Sequence, residues 1–205
     1  MTFKEVMKKL WYLLWKDDSW RGWIFSIIVL FIFIKFIFFP VLSFATGTAL
    51  PLAIVESCSM YHTGNVPSGF DAWWESSEAK YLELNITLEQ FKQFKIAEGF
   101  NKGDILFISG ANTEKLKVGD IIIFVASTKN PVIHRIVKIQ ETSEGRIFST
   151  YGDNNRGQLS FEKEIRENQI IGKAQIRLVP YLGWIKLIFF EFQKSPEERG
   201  LCHAN

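Results

Sequence analysis

Three short segments carry side chains that could perform nucleophilic or acid–base chemistry. VESCSMYH at residues 55–62 holds two serines, PVIHRIVKI holds His134, and YGDNNRG holds Asp153. A serine nucleophile needs a base to take its proton, and the base needs an acid to orient it. Ser57 or Ser59, followed by His134 and Asp153, would supply such a set. The same residues could also be structural, with the serines and Asp153 in turns and His134 as a packing residue of a strand. The elements around them must decide between the two interpretations.

The remaining cysteine and histidine residues indicate no further chemistry. Cys58 and Cys202 lie far apart, and they predict neither a disulfide framework nor a metal site. We expect Cys58 to be a small buried residue rather than a second nucleophile. His134 is the strongest candidate for a base that works near neutral pH, whereas His62 lies in turn-like surroundings. The chemistry requires no metal and no cofactor.

An apolar segment that precedes these residues predicts a membrane anchor. Residues 23–44 form a run of 22 residues with Lys35 as their one charge. At about 1.5 Å per residue the run reaches roughly 33 Å, and a bilayer core is about 30 Å thick. It is also longer than the apolar part of a cleaved secretory signal. We therefore expect a single-pass transmembrane helix.

The charges before this helix predict its orientation. Five basic residues lie in the flank: Lys4, Lys8, Lys9, Lys16 and Arg21. Positive flanks tend to stay cytoplasmic, so residues 1–22 are expected inside the cell as an amphipathic segment on the inner membrane face. The rest of the chain is expected outside. The net charge of +2 does not indicate a nucleic-acid partner.

The outer part of the chain predicts a mainly β fold. Apolar, β-branched runs follow one another after residue 102: DILFIS, DIIIFVAS, VIHRIVKIQET, RIFSTYGD and QIIGKAQIRL. An earlier run at Leu50–Val55 is also strand-like. We expect a coiled antiparallel sheet in a domain at 45–182, with a mostly helical insert at 61–101 and a C-terminal tail at 183–205.

The insert carries local signals of its own. Thr87 and Gln90 form a capping box that predicts the start of a helix, and Asn85 begins an NIT glycosylation triplet. Trp73 and Trp74 have two interpretations. In the first, they pack the insert against the β domain; in the second, they lie at the membrane interface. In either case the insert is expected to be a surface subdomain outside the core.

Five motifs in order resemble those of type I signal peptidases. They are ALPLAIVESCSM, KVGDIIIF, HRIVKI, TYGDNN and IIGKA. The histidine of HRIVKI is similar to that of the archaeal and endoplasmic-reticulum branch, since the common bacterial branch has lysine there. The resemblance covers residues 49–60 and 103–184 behind the predicted span.

The resemblance implies a role for each motif residue. Ser59 matches the nucleophile, and His134 matches the general base. Ser57 matches the serine that forms the oxyanion hole together with the N–H group of Ser59. Asp153 matches the acid of the Gly-Asp-Asn box. Relatives carry a second aspartate a few residues further on, where this chain offers Glu162, so Glu162 is the alternative third member.

The resemblance also implies a function. It predicts a membrane-anchored serine endopeptidase that removes signal peptides from exported preproteins at the cell membrane, in contact with lipid and with the protein-export machinery. Two alternatives stay open. One is a catalytically silent, membrane-anchored binding module of the same fold, which the 61–101 insert favours; the other is a related protease that cleaves other membrane proteins.

Overall fold

The chain forms two compact units, Met1–Ala45 and Thr46–Asn205. The structure, a computed structural model, describes residues 2–63, 69–126 and 130–203. Residues 64–68 of the predicted insert and the last two residues of the predicted tail lie outside the described residues.

The N-terminal unit is helical. Helix α1 is Phe3–Trp15, and a second helical run follows as α2 (Trp20–Phe33), a π-helical stretch (Ile34–Phe38) and α3 (Phe39–Thr46). The Ser19 side chain accepts a hydrogen bond from the Gly22 N–H group, which caps the start of α2. Among the described residues, the run Trp20–Thr46 is the one helix long and apolar enough to cross a membrane. It contains the predicted span 23–44.

The larger unit is built on a seven-stranded antiparallel sheet. Its strands are β1 (Leu52–Ile54), β2 (Ile105–Ser109), β3 (Ile121–Phe124), β4 (Val132–Thr142), β5 (Gly145–Tyr151), β6 (Ile165–Arg166) and β7 (Ile170–Val179). They follow one another in space as β1-β2-β7-β3-β4-β5-β6. The prediction of a mainly β, antiparallel fold is confirmed, and all six predicted runs contain a strand. The two-residue strand β6 was not predicted.

Strand β3 lies at the centre of the sheet and is covered on both faces. All four of its residues are buried. Ile121 and Ile123 belong to one apolar cluster, and Ile122 and Phe124 belong to another. Successive side chains of a strand point to opposite faces, so the continuous apolar run in the sequence corresponds to a strand with a core on each side.

The insert forms two helices, α4 (Phe70–Leu82) and α5 (Leu88–Lys92). The Thr87 and Gln90 side chains close the predicted capping box at the start of α5. Thus the local helix signals of this segment are confirmed.

The aromatic residues of the insert are buried against the sheet. Trp73 and Trp74 are 2% and 4% exposed, and they share an apolar cluster with Val137 of β4 and Tyr151 of β5. The interpretation that places both rings at the membrane interface is therefore wrong, and the packing alternative is confirmed.

Candidate active site

Ser59 lies in a short turn that leaves strand β1. Ser57 is exposed and Ser59 is half-buried, and their hydroxyl oxygens lie 3.1 Å apart. The following residue, Met60, is fully buried in the core beside the sheet. The turn thus has an apolar anchor directly after the serine, and its two hydroxyl groups remain close to each other at the surface.

The Gly152–Asn154 loop, which contains the Gly-Asp-Asn box, holds the serine turn. The Asn154 N–H group donates to the Ser59 carbonyl oxygen at 2.8 Å. Its side-chain amide donates to the Cys58 carbonyl oxygen at 3.1 Å. Because both bonds reach the backbone of the turn, a shift of this loop would move Ser59.

A disulfide bond between Cys58 and Cys202 further ties down the turn. The two Cα atoms are 5.3 Å apart, although the residues are 144 positions apart in the sequence. The expectation that the two cysteines form no disulfide is therefore wrong. Sequence separation carries no information about proximity here, because the chain returns to the serine turn only after the whole sheet is complete.

The tail that carries Cys202 makes further contacts near the turn. Lys194 Nζ donates to the Glu56 carbonyl oxygen at 2.6 Å. The buried Lys102 ammonium lies 2.7 Å from Glu191 Oε2. The Lys194 bond thus ties Glu56, three residues before Ser59, to the C-terminal tail.

His134 lies on strand β4 and is almost fully buried. Its backbone pairs with that of Ile122 on β3, and its Nδ1 atom lies 2.5 Å from Glu162 Oε1. A carboxylate accepts hydrogen bonds, so the contact assigns the proton of a neutral imidazole to Nδ1 and leaves Nε2 as the acceptor. Nε2 is the atom that a general base would use.

Gly152 leaves space beside this acceptor atom. A Cβ atom placed on Gly152 would lie 3.0 Å from His134 Nε2 and 2.5 Å from the Asn155 Nδ2 atom. The loop that bonds to Ser59 therefore also borders the free side of the imidazole. It brings the serine turn and the histidine to the same part of the unit.

Glu162 is positioned by a single turn of 3₁₀-helix, Ser160–Glu162. Its side chain is fully buried, and its second oxygen accepts a hydrogen bond from the Leu159 N–H group at 2.6 Å. Both carboxylate oxygens thus have a donor, one from His134 and one from the backbone. This arrangement fixes the orientation of the carboxylate against the imidazole.

Asp153, the favoured third member in the sequence, has different partners. Its carboxylate oxygens lie 2.7 Å from Arg135 Nη2, 2.7 Å from the Tyr81 hydroxyl and 2.9 Å from His62 Nε2. The two candidate acids therefore have separate surroundings. Glu162 contacts His134, whereas Asp153 contacts Arg135, the residue that follows His134 on β4. Adjacent strand residues point to opposite faces, which separates the two carboxylates.

The surroundings of Asp153 keep it ionised. Burial alone raises the pKa of this carboxyl group, but the Arg135 guanidinium and the His62 hydrogen bond outweigh burial and hold the pKa far below its usual range. Burial also lowers the pKa of His62, against the raising effect of Asp153, so His62 is a neutral donor. Sequence reasoning missed the contacts of His62 and Tyr81 with Asp153.

Within residues 2–63, 69–126 and 130–203, no group of three or more His, Cys, Asp or Glu side chains is arranged to hold a metal ion. What the described residues offer is a half-buried hydroxyl, a buried imidazole with a free acceptor, and a carboxylate that orients it. That set is suited to acyl transfer through a serine.

The chain is similar to catalytic subunits of the signal peptidase complex. It is 30% identical over 106 residues to the catalytic subunit SEC11C of Homo sapiens and, equally, of Canis lupus familiaris; the match covers 46% of this chain and 53% of each relative. The catalytic subunit SEC11 of Lachancea thermotolerans is 35% identical over 97 residues, 43% of this chain and 56% of that protein. The chain spans about half the length of the curated relatives that it matches. No protein-family model matches it.

These similarities confirm the resemblance to type I signal peptidases that the five motifs indicate.

Proposed function

We propose that this chain is a membrane-anchored serine endopeptidase that removes signal peptides from exported proteins. Its relatives are named as catalytic subunits of the signal peptidase complex. The observation that carries the proposal is the buried His134–Glu162 pair, whose free nitrogen borders the loop that holds Ser59.

Ser59 is the nucleophile in the proposed reaction. Its hydroxyl oxygen attacks the carbonyl carbon of the scissile peptide bond, and its proton passes to His134 Nε2. The imidazolium then gives this proton to the leaving amine, which breaks the C–N bond and leaves an acyl group on Ser59. A water molecule, deprotonated by the same nitrogen, hydrolyses the ester. The His134 nitrogen must come within hydrogen-bond reach of the Ser59 hydroxyl when substrate binds.

Glu162 is the orienting carboxylate of this proposal, in place of Asp153. It lies against Nδ1 of His134 and would stabilise the imidazolium that forms during each proton transfer. Ser57 lies 3.1 Å from the Ser59 hydroxyl, so its own hydroxyl can turn toward the negatively charged oxygen of the tetrahedral intermediate. Together with the Ser59 N–H group it would form the oxyanion hole, in which one donor contributes about 3–4 kcal/mol.

The helix Trp20–Thr46 would anchor the enzyme in the cell membrane, with the N-terminus in the cytoplasm and the sheet unit outside. The basic flank before the helix supports this orientation. The Cys58–Cys202 disulfide supports it independently, because disulfides persist in oxidising compartments outside the cytosol.

The proposed substrates are preproteins whose signal peptides are themselves held in the membrane. Anchoring enzyme and substrate in one bilayer raises their effective concentration. The cleavage segment would bind as an added strand along a sheet edge, and β1, which leads into the Ser59 turn, is an end strand of the sheet. Association with further subunits or with the export machinery is part of the proposal, since the relatives are named as subunits of a complex.

The experiment is cleavage of a preprotein by the full chain in lipid vesicles, combined with labelling by a serine-reactive acylating probe. Wild-type protein should cleave and be labelled on Ser59. Ser59→Ala should lose labelling and about 10⁶-fold in rate, whereas Ser195→Ala, at an exposed serine, should behave as wild type. Replacing the small residues before the cleavage site with tryptophan should abolish cleavage. Normal cleavage by Ser59→Ala would refute the mechanism, and labelling without preprotein cleavage would refute the substrate class.

A further inference from the structure

The helical insert begins and ends at the proposed nucleophile. Its first residue directly follows Met60, the neighbour of Ser59, and near its end the Phe100 N–H group donates to the Met60 carbonyl oxygen at 3.0 Å. Gly99 permits this close return. A Cβ atom at Gly99, whose φ is +65°, would lie 2.4 Å from that oxygen and 2.7 Å from His62 Cδ2. The base of the insert is therefore in direct contact with the serine turn.

Two insert side chains donate hydrogen bonds to the Asp153 carboxylate. The Tyr81 hydroxyl donates to one carboxylate oxygen at 2.7 Å, and His62 Nε2 donates to the other at 2.9 Å. Tyr81 is fully buried and His62 is 1% exposed, so water cannot replace these donors. A third insert residue, Lys80, donates to the Asp153 carbonyl oxygen.

His62 is itself held in one orientation. Its ring stacks on that of Trp73, with 3.5 Å between centroids and 8° between planes. Its Nδ1 atom has no hydrogen-bond partner among the described residues. A buried ring nitrogen without a partner costs free energy. The contacts that hold the His62 ring are the stacking on Trp73 and the hydrogen bond to Asp153.

We propose that His62 and Tyr81 are positioning residues for the peptidase reaction proposed above. By holding the Asp153 carboxylate they fix the Gly152–Asn154 loop, which in turn bonds to Ser59 and borders His134. The inference rests on the proposed function, because positioning has meaning only for a reacting serine. It gives the insert a role in the reaction and assigns Asp153 to the support of the loop.

Three variants separate positioning from packing. Tyr81→Phe removes one donor and keeps the ring. His62→Phe removes the other donor and keeps a ring against Trp73, and His62→Gln restores an N–H donor at a similar reach. Glu75→Gln, at an exposed position on the same helix as Tyr81, is the matched control. The assays are preprotein cleavage by the full chain in vesicles, the rate of Ser59 acylation by a serine-reactive probe, and the thermal unfolding midpoint.

Tyr81→Phe and His62→Phe should each lower kcat about ten-fold, because small displacements of reacting groups cost rate steeply. KM should stay within about two-fold. The acylation rate of the folded protein should fall by the same factor as kcat, and His62→Gln should recover most of it. Glu75→Gln should match wild type in every assay.

The proposal has a distinct pattern of failure. Wild-type acylation rates in Tyr81→Phe and His62→Phe would overturn it, as would equal losses in His62→Phe and His62→Gln. It would also be overturned if the losses disappear once rates are divided by the fraction of folded, titratable sites. If wild-type protein is not labelled on Ser59 at all, the proposed function fails and the positioning role fails with it.

Discussion

The exchange of Glu162 for glutamine tests the proposed mechanism most sharply. In the structure, one carboxylate oxygen accepts from the Leu159 N–H group and the other faces His134 Nδ1. In Glu162→Gln, the amide oxygen should keep the backbone bond, because a flipped NH₂ group would meet the Leu159 N–H group donor to donor. The NH₂ group would then point at Nδ1 and favour the tautomer in which Nε2 carries the proton.

That tautomer cannot accept the Ser59 proton. The corresponding exchange in a serine protease triad leaves the geometry intact and lowers kcat about 10⁴-fold. This factor corresponds to roughly 5.5 kcal/mol of activation free energy. We expect a similar loss for Glu162→Gln, with little change in the fold, since glutamine has nearly the same shape.

The assay is kcat for preprotein cleavage, corrected by titration of folded sites, with Glu164→Gln as control. Glu164 is exposed and lies two positions away, so its exchange should leave kcat unchanged. Asp153→Asn should lower stability strongly and should lower kcat much less than Glu162→Gln does. It removes the charge that Arg135 pairs with in the interior, and breaking a buried ion pair costs about 3–5 kcal/mol of stability.

Two outcomes would contradict this reasoning. A nearly normal Glu162→Gln together with a folded but inactive Asp153→Asn would return the orienting role to Asp153. Nearly normal rates in both variants would leave a serine–histidine pair that needs no carboxylate.

Three further predictions concern the loop, the disulfide and the pH dependence of folding. Gly152→Ala should lower the rate of Ser59 acylation about ten-fold or more, because the added Cβ atom would crowd the Asn155 amide and the His134 ring. An unchanged rate would contradict the role given to this loop. Cys58→Ser should lower the free energy of unfolding by about 2–5 kcal/mol, because the bond to Cys202 closes a long loop. Urea unfolding should show the same loss in wild-type protein treated with dithiothreitol, and dithiothreitol should cause no further loss in Cys58→Ser. Burial lowers the pKa of His62 below 6.5, so the unfolded chain binds a proton at this imidazole more readily than the folded chain does. The free energy of unfolding should therefore fall as the pH drops below about 6.5. His62→Gln should flatten this part of the stability–pH profile, and an equal slope in both proteins would argue against a neutral His62.

The strands were predictable because each follows a local pattern. The run at β3 is continuously apolar and proves to be buried on both faces, and Thr87 with Gln90 proves to cap α5. Strand β6 has only two residues, too few for any periodicity to show. It exists because it can pair with β5, which is a property of the folded sheet and not of its own sequence.

The placement of the insert needed long-range contacts that no local pattern contains. Trp73 and Trp74 have the amphipathic rings expected at a membrane interface, but such rings serve equally well in a core. The two rings lie in a core here because Val137 and Tyr151 provide an apolar surface on the sheet. The Cys58–Cys202 bond was missed for a related reason, because the proximity of the two cysteines results from the complete fold.

The separation of the two acids follows from the alternation of a strand. His134 and Arg135 are neighbours on β4, so one side chain reaches toward Glu162 and the other toward Asp153. An arginine fork favours an ionised carboxylate and holds it by two bonds, which leaves Asp153 committed to Arg135. The acid for His134 must then come from the histidine face, and the 3₁₀ turn supplies Glu162 there. A sequence motif identifies which carboxylates are present, whereas the strand face on which each partner lies determines which of them can orient the imidazole.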